Sequence, residues 1–482
     1  MNVPISGIIL LPVTLGIFCF SSYIGEWAIF TAVLQGAALL NTGGGFAVGL
    51  SPYFFVTALI ALRMIPLLLT GRVRFCADEP IRNHLQLLVM FTVWCVASAF
   101  VLPVLFQGLP VDSPRVSVDS SYYVQLPLQW SFSNAGQAGY MILNLLLVLR
   151  LVQLSANRGR LERLVNAYSW SGMLAAGVGV YQMACPRLGL PFPSWLFNSN
   201  QAWSELPNQL AAGGFSRISA TFIEPSAAAS FLAAWSVFEL SLAIGHAQQN
   251  GRHWLCTAIG TVVLIATTST TGYVVAGLIS IVLVWDAIRA VLLYGIIKTR
   301  VTLTAIGLSA AGLAAFALLP GAGQLLDAVL FHKGESASAL HRTATFGRAV
   351  TVLVSSWGLG VGLGSNRAMS AFFYVLSNLG LPGLMLVAGL LWQLYSQIIT
   401  QLRSVFCDSN NRVLLYAISA AFAANLLALL LSGAEITQPH LWILWGLLVG
   451  TLRCDWLRDR QLVEGVSAAA MPPRLMSADL RA

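Results

Sequence analysis

The chain has 482 residues, of which 57% are hydrophobic and only 9% are charged, and its mean hydropathy is +0.77. This composition lies outside the range of soluble globular proteins and predicts an all-α, polytopic membrane protein. The net charge of +8 does not indicate nucleic-acid binding, because most basic residues fall in short loops, where they orient a membrane protein.

Apolar runs of spanning length follow one another along most of the chain. In order, they cover roughly residues 5–20, 25–41, 46–69, 84–106, 136–154, 165–183, 225–245, 254–269, 271–291, 301–319, 381–401, 412–432 and 440–453. When the arginine-rich loops are placed in the cytoplasm, the runs from residue 71 onward alternate across the membrane without contradiction.

This orientation places three large loops, 107–135, 184–224 and 320–380, on the outer side, together with the turn 433–440. It gives thirteen crossings and an outward N-terminus; twelve crossings with an inward N-terminus fit equally, because few charges flank the first two runs. We expect a multi-spanning domain over residues 1–453 and a disordered cytoplasmic tail over 454–482. The seven cysteines are scattered, so we expect no metal and no other cofactor.

Glycines interrupt the apolar pattern between residues 349 and 380, where GLGVGLGSN occupies positions 358–366. A continuous spanning helix does not favour this pattern, so we predict short helices and a glycine-rich turn on the outer side. Such a turn can present several backbone N–H groups, and the residues after it can begin a helix, which suits a phosphate. A purely structural role for the turn is the alternative.

Four arginines fall in outer loops, against the usual charge distribution: Arg217, Arg342, Arg348 and Arg367. Arginine stays charged at physiological pH and offers a planar fork of donors, which suits a pyrophosphate. Each arginine taken alone is explained as well by a contact with the surface or with lipid headgroups. Their clustering favours an anionic substrate.

Candidate acid–base residues lie in the same outer loops. Glu224 precedes Pro225 at the predicted start of a helix, where it can act as a cap or in catalysis. His341 can serve as a general base or as a simple hydrogen-bonding residue. Glu435 and His440, in the last outer turn, rank below these two.

Together these motifs resemble the bacterial O-antigen and exopolysaccharide polymerase and ligase superfamily, in particular the Wzy-type polymerases. The resemblance is carried by RISATFIEPS at 217–226, by HR at 341–342 with Arg348 after it, by GLGVGLGSNR at 358–367 and by YVLSNLGLPG at 374–383. It implies a multi-spanning, C-type glycosyltransferase-like fold in the inner membrane. It also implies metal-independent joining of undecaprenyl-pyrophosphate-linked oligosaccharides at the periplasmic face.

The resemblance assigns roles to single residues. Arg217, Arg342 and Arg348 match recurrent arginines that stabilise the leaving pyrophosphate, with His341 and Glu224 as further catalytic candidates. The implied substrate-binding residues are those of the glycine-rich turn: Gly364, Ser365, Asn366 and Arg367. The implied partners are the lipid-linked donor and acceptor glycans, membrane lipids and a separate chain-length regulator.

Two alternatives remain open at the level of the sequence. The first is an O-antigen ligase-type transferase, but ligases usually carry a His-Asn pair after the glycine-rich turn, whereas this chain has Ser-Asn-Arg. The second is a flippase or other transporter of lipid-linked oligosaccharides. Transporters often show duplicated halves and charges at mid-membrane, whereas this chain shows asymmetric outer loops.

Overall fold

The computed structural model describes residues 2–42, 48–71, 79–112, 125–200, 217–245, 251–278, 280–281, 337–404, 409–432 and 435–470. Within these ranges the chain is mostly helical. The helices are α1 (Ile5–Phe20), α2 (Ile24–Thr31), α3 (Pro52–Leu69), α4 (Ile81–Leu105), α5 (Phe132–Leu154), α6 (Arg158–Leu188), α7 (Ser194–Phe197), α8 (Pro225–Gly245), α9 (Gly251–Ala266), α10 (Ala337–Ser355), α11 (Ala371–Arg403), α12 (Ser409–Ser432) and α13 (Pro439–Ala470). Residues 270–278 are helical as well.

Six of these helices, α3, α4, α5, α8, α11 and α12, are long and apolar enough to cross a membrane. The helices α1 and α9 are also apolar but shorter. The prediction of a helical, polytopic membrane protein is confirmed at this level. The number of crossings stays a prediction, because the run 301–319 and most of the run 271–291 lie outside the described residues.

The second apolar run, 25–41, does not form the single spanning helix that we expected. The helix α2 ends at Thr31, and turns lead from there to the first strand. The Gly36 amide donates to the Thr221 carbonyl at 3.0 Å, and a Cβ at Gly36 would lie 2.4 Å from the Phe197 carbonyl oxygen. Residues 32–34 and 37–39 are buried, and an apolar run alone does not distinguish a spanning helix from a buried irregular segment.

Two short antiparallel hairpins modify the all-α expectation. One pairs β1 (Leu40–Thr42) with β2 (Val48–Leu50), and the other pairs β3 (Pro110–Asp112) with β4 (Gln125–Pro127). Both connect consecutive helices. The strand β3 of the second hairpin ends at a buried aspartate, Asp112.

The helix α13 packs in the interior and continues further than predicted. Close approach to α5 is possible because Gly446 and Gly450 have no side chain: a Cβ there would lie 2.8 Å from Leu151 and 2.5 Å from the Ser155 hydroxyl, respectively. The helix reaches Ala470, whereas we expected disorder from residue 454 onward. The first residues of this segment are buried. They therefore pack against the rest of the protein, although the polar composition of the segment did not predict packing.

The helices run between two ends that differ in charge. At one, the arginine-rich end, Arg163 pairs with Glu26 and Arg453 with Glu79, each at 3.2 Å. Other arginines of this end are Arg63, Arg150, Arg158 and Arg458. The opposite, loop-rich end carries both hairpins, the segment 217–224, the segment 356–370 and the turn 435–438.

Candidate functional site at the loop-rich end

Three of the four predicted arginines have described side chains, and all three lie at the loop-rich end. Arg217 precedes α8, Arg348 belongs to α10, and Arg367 lies in the segment between α10 and α11. They are thus separated by the length of the helices from the arginine-rich end. His341 and Arg342 fall within α10, but their side chains lie outside the described residues.

The segment 356–370, here called the glycine turn, fills the space between α4, α5 and the start of α11. Its four alternating glycines have φ values between 78° and 98°, a region that strains any residue with a side chain. A Cβ at Gly360 would lie 2.6 Å from the Asn378 carbonyl oxygen, and one at Gly362 would lie 2.6 Å from that of Ser98. The structure thus contains the predicted glycine-rich turn, and it also shows a kink in α11 at Gly380, which was not predicted.

The amides of the glycine turn are used within the protein. Those of Ser365 and Asn366 donate to Asn378 Oδ1 at 3.0 and 2.9 Å, and that of Arg367 donates to the Asp112 carbonyl at 3.0 Å. The prediction that this turn presents free N–H groups to a phosphate is therefore wrong. The glycines permit close packing, and Asn378 satisfies the amides that this packing buries.

Three of the residues expected to bind substrate are buried parts of this scaffold. A Cβ at Gly364 would lie 3.0 Å from Gln137 Cγ, and the Ser365 hydroxyl accepts a hydrogen bond from Asn134 Nδ2 at 2.8 Å. Ser365 is 4% exposed and Asn366 is 1% exposed. Their polar groups hold the turn in place rather than face open space, which leaves side chains at its edge to contact a ligand.

Asp112, at the end of β3, ties the arginines to the glycine turn. Arg348 Nη1 donates to Asp112 Oδ1 at 2.8 Å, and the Asp112 amide donates to Asn366 Oδ1 at 2.9 Å. The Arg367 amide completes the contact by donating to the Asp112 carbonyl. Sequence reasoning missed Asp112, because its partners lie more than 230 residues away along the chain.

Arg217 lies beside the tight turn that follows α9. Its Nε donates to Thr268 Oγ1 at 3.2 Å, and the Thr267 carbonyl lies at 3.4 Å. The backbone just after it is fixed by Gln182, whose Oε1 accepts from the amides of Ser219 and Ala220 at 3.1 and 2.7 Å. The guanidinium is therefore held at the rim of this end by α6 and by the turn after α9.

Glu224 stands immediately before α8, as the sequence predicted. Its carbonyl accepts the Ala228 amide at 3.1 Å, and its Oε1 accepts the Ser226 hydroxyl at 2.5 Å. This is the arrangement of a residue at the start of a helix, where carboxylates are stabilised by the exposed amides. The carbonyl contact fits a residue at the start of a helix, while the carboxylate contacts a side-chain hydroxyl rather than a backbone amide.

The turn between α12 and α13 links the two arginine-bearing segments. On one side, the His440 ring lies 5.6 Å from that of Phe222, which belongs to the Arg217 segment. On the other side, the Thr437 hydroxyl donates to Gln137 Oε1 at 2.8 Å, and Gln137 packs against Gly364. The Arg217 segment thus packs against His440. The glycine turn, which carries Arg367, packs against Gln137, the hydrogen-bond partner of Thr437.

Chemically, this end combines fixed guanidinium groups with half-buried carboxylates, which can bind an anion and move a proton. The described residues hold no group of three or more His, Cys, Asp or Glu side chains suited to a metal ion. In comparisons with known proteins, no family model matches the chain and no curated protein matches it.

Proposed function

We propose that this chain is a polysaccharide polymerase of the bacterial inner membrane, a glycosyltransferase that joins undecaprenyl-pyrophosphate-linked oligosaccharide repeat units. The proposal is carried by one observation: Arg217, Arg348 and Arg367 lie at the end opposite to the arginine-rich end. Cationic side chains that depart from the usual charge distribution of a membrane protein call for an anionic partner.

The orientation follows from the same distribution. Positive charge collects on the cytoplasmic side of membrane proteins, so the arginine-rich end faces the cytoplasm and the loop-rich end faces the periplasm. A lipid-linked substrate with its pyrophosphate at the outer membrane surface then lies level with the three arginines. The six helices that are apolar enough to cross a membrane provide the surface along which the lipid chain lies.

The arginines stabilise the negative charge that develops on the pyrophosphate during the reaction. An acceptor hydroxyl attacks the anomeric carbon of the donor, and the bond between this carbon and the pyrophosphate breaks, leaving negative charge on the pyrophosphate. Guanidinium groups held in advance stabilise that charge without reorganisation. Arg348, half-buried and fixed by Asp112, meets this requirement.

The test uses purified protein and lipid-linked repeat units in detergent. We expect Arg217→Ala, Arg348→Ala and Arg367→Ala each to lower the polymerisation rate by about 10²-fold to 10³-fold, as removal of a charge-stabilising group does in other enzymes. Arg163→Ala is the matched control, because Arg163 pairs with Glu26 at the arginine-rich end. An unchanged polymerisation rate in all three variants would refute the pyrophosphate-binding role.

The accumulated intermediate separates this function from its rivals. Cells that lack a polymerase accumulate single lipid-linked repeat units, whereas loss of a ligase leaves long lipid-linked polymer. A transporter of lipid-linked oligosaccharides does not join repeat units at all. Formation of polymer by the purified protein would therefore exclude the transporter, and accumulation of single units in the deletion strain would exclude the ligase.

A further inference from the structure

Three carboxylates lie at the loop-rich end within the described ranges, and their hydrogen bonds differ. Asp112 is paired with Arg348 at 2.8 Å. Glu224 accepts the Ser226 hydroxyl at 2.5 Å and stands at the start of α8. Glu435, half-buried in the turn between α12 and α13, has the weakest contact, with Thr437 Oγ1 at 3.4 Å from its Oε2.

The Thr437 hydroxyl has a single proton, and this proton has a better acceptor than Glu435. Gln137 Oε1 lies 2.8 Å from Thr437 Oγ1, well inside normal hydrogen-bond distance, whereas the 3.4 Å contact is at its limit. The proton therefore goes to Gln137. Among the described residues, no strong hydrogen-bond donor contacts the Glu435 carboxylate, which leaves its oxygens available to a substrate hydroxyl.

A buried polar network holds the turn that carries Glu435. Asn144 Nδ2 donates to the Thr437 carbonyl at 3.1 Å, and Asn144 Oδ1 accepts from the Tyr53 hydroxyl at 2.7 Å. Tyr53, Asn144 and Thr437 are each at most 2% exposed. Such satisfied networks fix a backbone position, so the carboxylate is presented from a rigid support.

The surroundings of Glu435 connect it to both arginine-bearing segments. The phenols of Tyr140 and Tyr374 lie close enough to interact electrostatically with its carboxylate. Tyr374 belongs to the first turn of α11, directly after the glycine turn. His440, five residues further on, packs against Phe222 of the Arg217 segment. Glu435 thus belongs to a turn whose neighbouring residues contact both the Arg217 segment and the glycine turn.

We propose that Glu435 is the general base of the glycosyl transfer, an inference that rests on the proposed function. Its carboxylate takes the proton from the acceptor sugar hydroxyl as that oxygen attacks the anomeric carbon of the donor. The bond between this carbon and the pyrophosphate oxygen breaks, and its electron pair leaves with the pyrophosphate beside the arginines. The protonated carboxyl then releases the proton to water.

The experiment compares Glu435→Gln, Glu435→Asp and Glu435→Ala with wild type in the detergent assay with lipid-linked repeat units. We expect Glu435→Gln to lower the rate by about 10²-fold to 10⁴-fold, the usual contribution of a positioned base, while binding of lipid-linked donor is retained. Glu435→Asp should keep part of the activity. Added formate should raise the rate of Glu435→Ala, because a small carboxylate can replace the missing one, which would not repair a structural defect.

The control is Glu162→Gln, since Glu162 is exposed at the arginine-rich end and pairs with Arg158; its rate should equal that of wild type. If wild type forms polymer and Glu435→Gln keeps more than a third of its rate, the assignment of Glu435 is wrong and the proposed function stands. If wild type forms no polymer, both proposals are overturned. If Glu435→Gln still binds the lipid-linked donor, its lower rate is not caused by misfolding.

Discussion

Asn378 offers the sharpest test of how the glycine turn is held. The side chain is fully buried, 0% exposed, and makes four hydrogen bonds to backbone groups. Its Oδ1 accepts the amides of Ser365 and Asn366, and its Nδ2 donates to the carbonyls of Asn366 and Tyr374 at 2.8 and 2.9 Å. One amide side chain thus ties residues 365–366 of the glycine turn to the first turn of α11.

The magnitude follows from the groups that Asn378→Ala would leave without partners. The Asn366 amide and carbonyl lose their acceptor and donor, whereas the Ser365 amide keeps the Gly362 carbonyl at 3.1 Å and the Tyr374 carbonyl lies in a helix. At about 1–2 kcal/mol for each of two buried groups, the substitution should lower the free energy of unfolding by about 2–4 kcal/mol. It should also loosen Arg367, because the turn positions its backbone.

Denaturation of the purified protein by sodium dodecyl sulfate in mixed micelles measures this free energy. Asn425→Ala is the matched control: Asn425 is a 1% exposed asparagine of α12, and its side-chain amide has no hydrogen bond within the described residues. Its replacement leaves no partner unsatisfied, so we expect a change of about 1 kcal/mol or less. Equal losses in the two variants would refute the reasoning.

Two further predictions concern the packing of the glycine turn and a buried contact between a histidine and a glutamate. Gly362→Ala should abolish folded, monodisperse protein in size-exclusion chromatography, because φ is 98° and the new Cβ would lie 2.6 Å from a carbonyl oxygen. The control, Gly347→Ala, has open space around the new Cβ and should elute as wild type. Recovery of both variants as folded protein would contradict this prediction. His253→Ala should lower the free energy of unfolding by about 1–3 kcal/mol, because His253 Nδ1 lies 2.6 Å from Oε2 of Glu239, whose side chain is 0% exposed and would lose this partner. Adding Glu239→Gln should recover part of this loss, and strictly additive losses in mixed-micelle denaturation would show that the two side chains are not coupled.

The sequence predicted the features that follow from composition and charge. Apolar runs indicated the helices, alternating glycines indicated the turn, and the positions of Arg217 and Arg348 relative to the arginine-rich loops indicated the end where they lie. Apolar runs, glycine spacing and the charge of loops can all be read from the sequence, without knowledge of which residues contact each other. The activity itself rests on a resemblance in short motifs and stays a prediction.

The contacts that define the site could not be predicted in the same way. Asp112 and Asn366 are 254 residues apart, and Gln137 and Thr437 are 300 apart. Gln137 is a polar residue in an apolar helix, and the sequence around it does not indicate which residue it contacts. The expectation of a phosphate-binding turn failed for a related reason: a glycine pattern shows that amides are clustered, whereas the tertiary structure decides which acceptor they meet.

Asn378 and Asp112 accept hydrogen bonds from amides of the glycine turn, so these amides are not available to an anion at this end. Since the backbone of the glycine turn is occupied, the binding groups must be side chains, and the guanidinium of Arg348 donates through one nitrogen to Asp112 among the described residues. A guanidinium has five N–H donors, so four remain to meet oxygens of a ligand. Asp112 therefore orients the arginine without exhausting it, and Asp112→Asn should weaken the site through orientation while it leaves the positive charge in place.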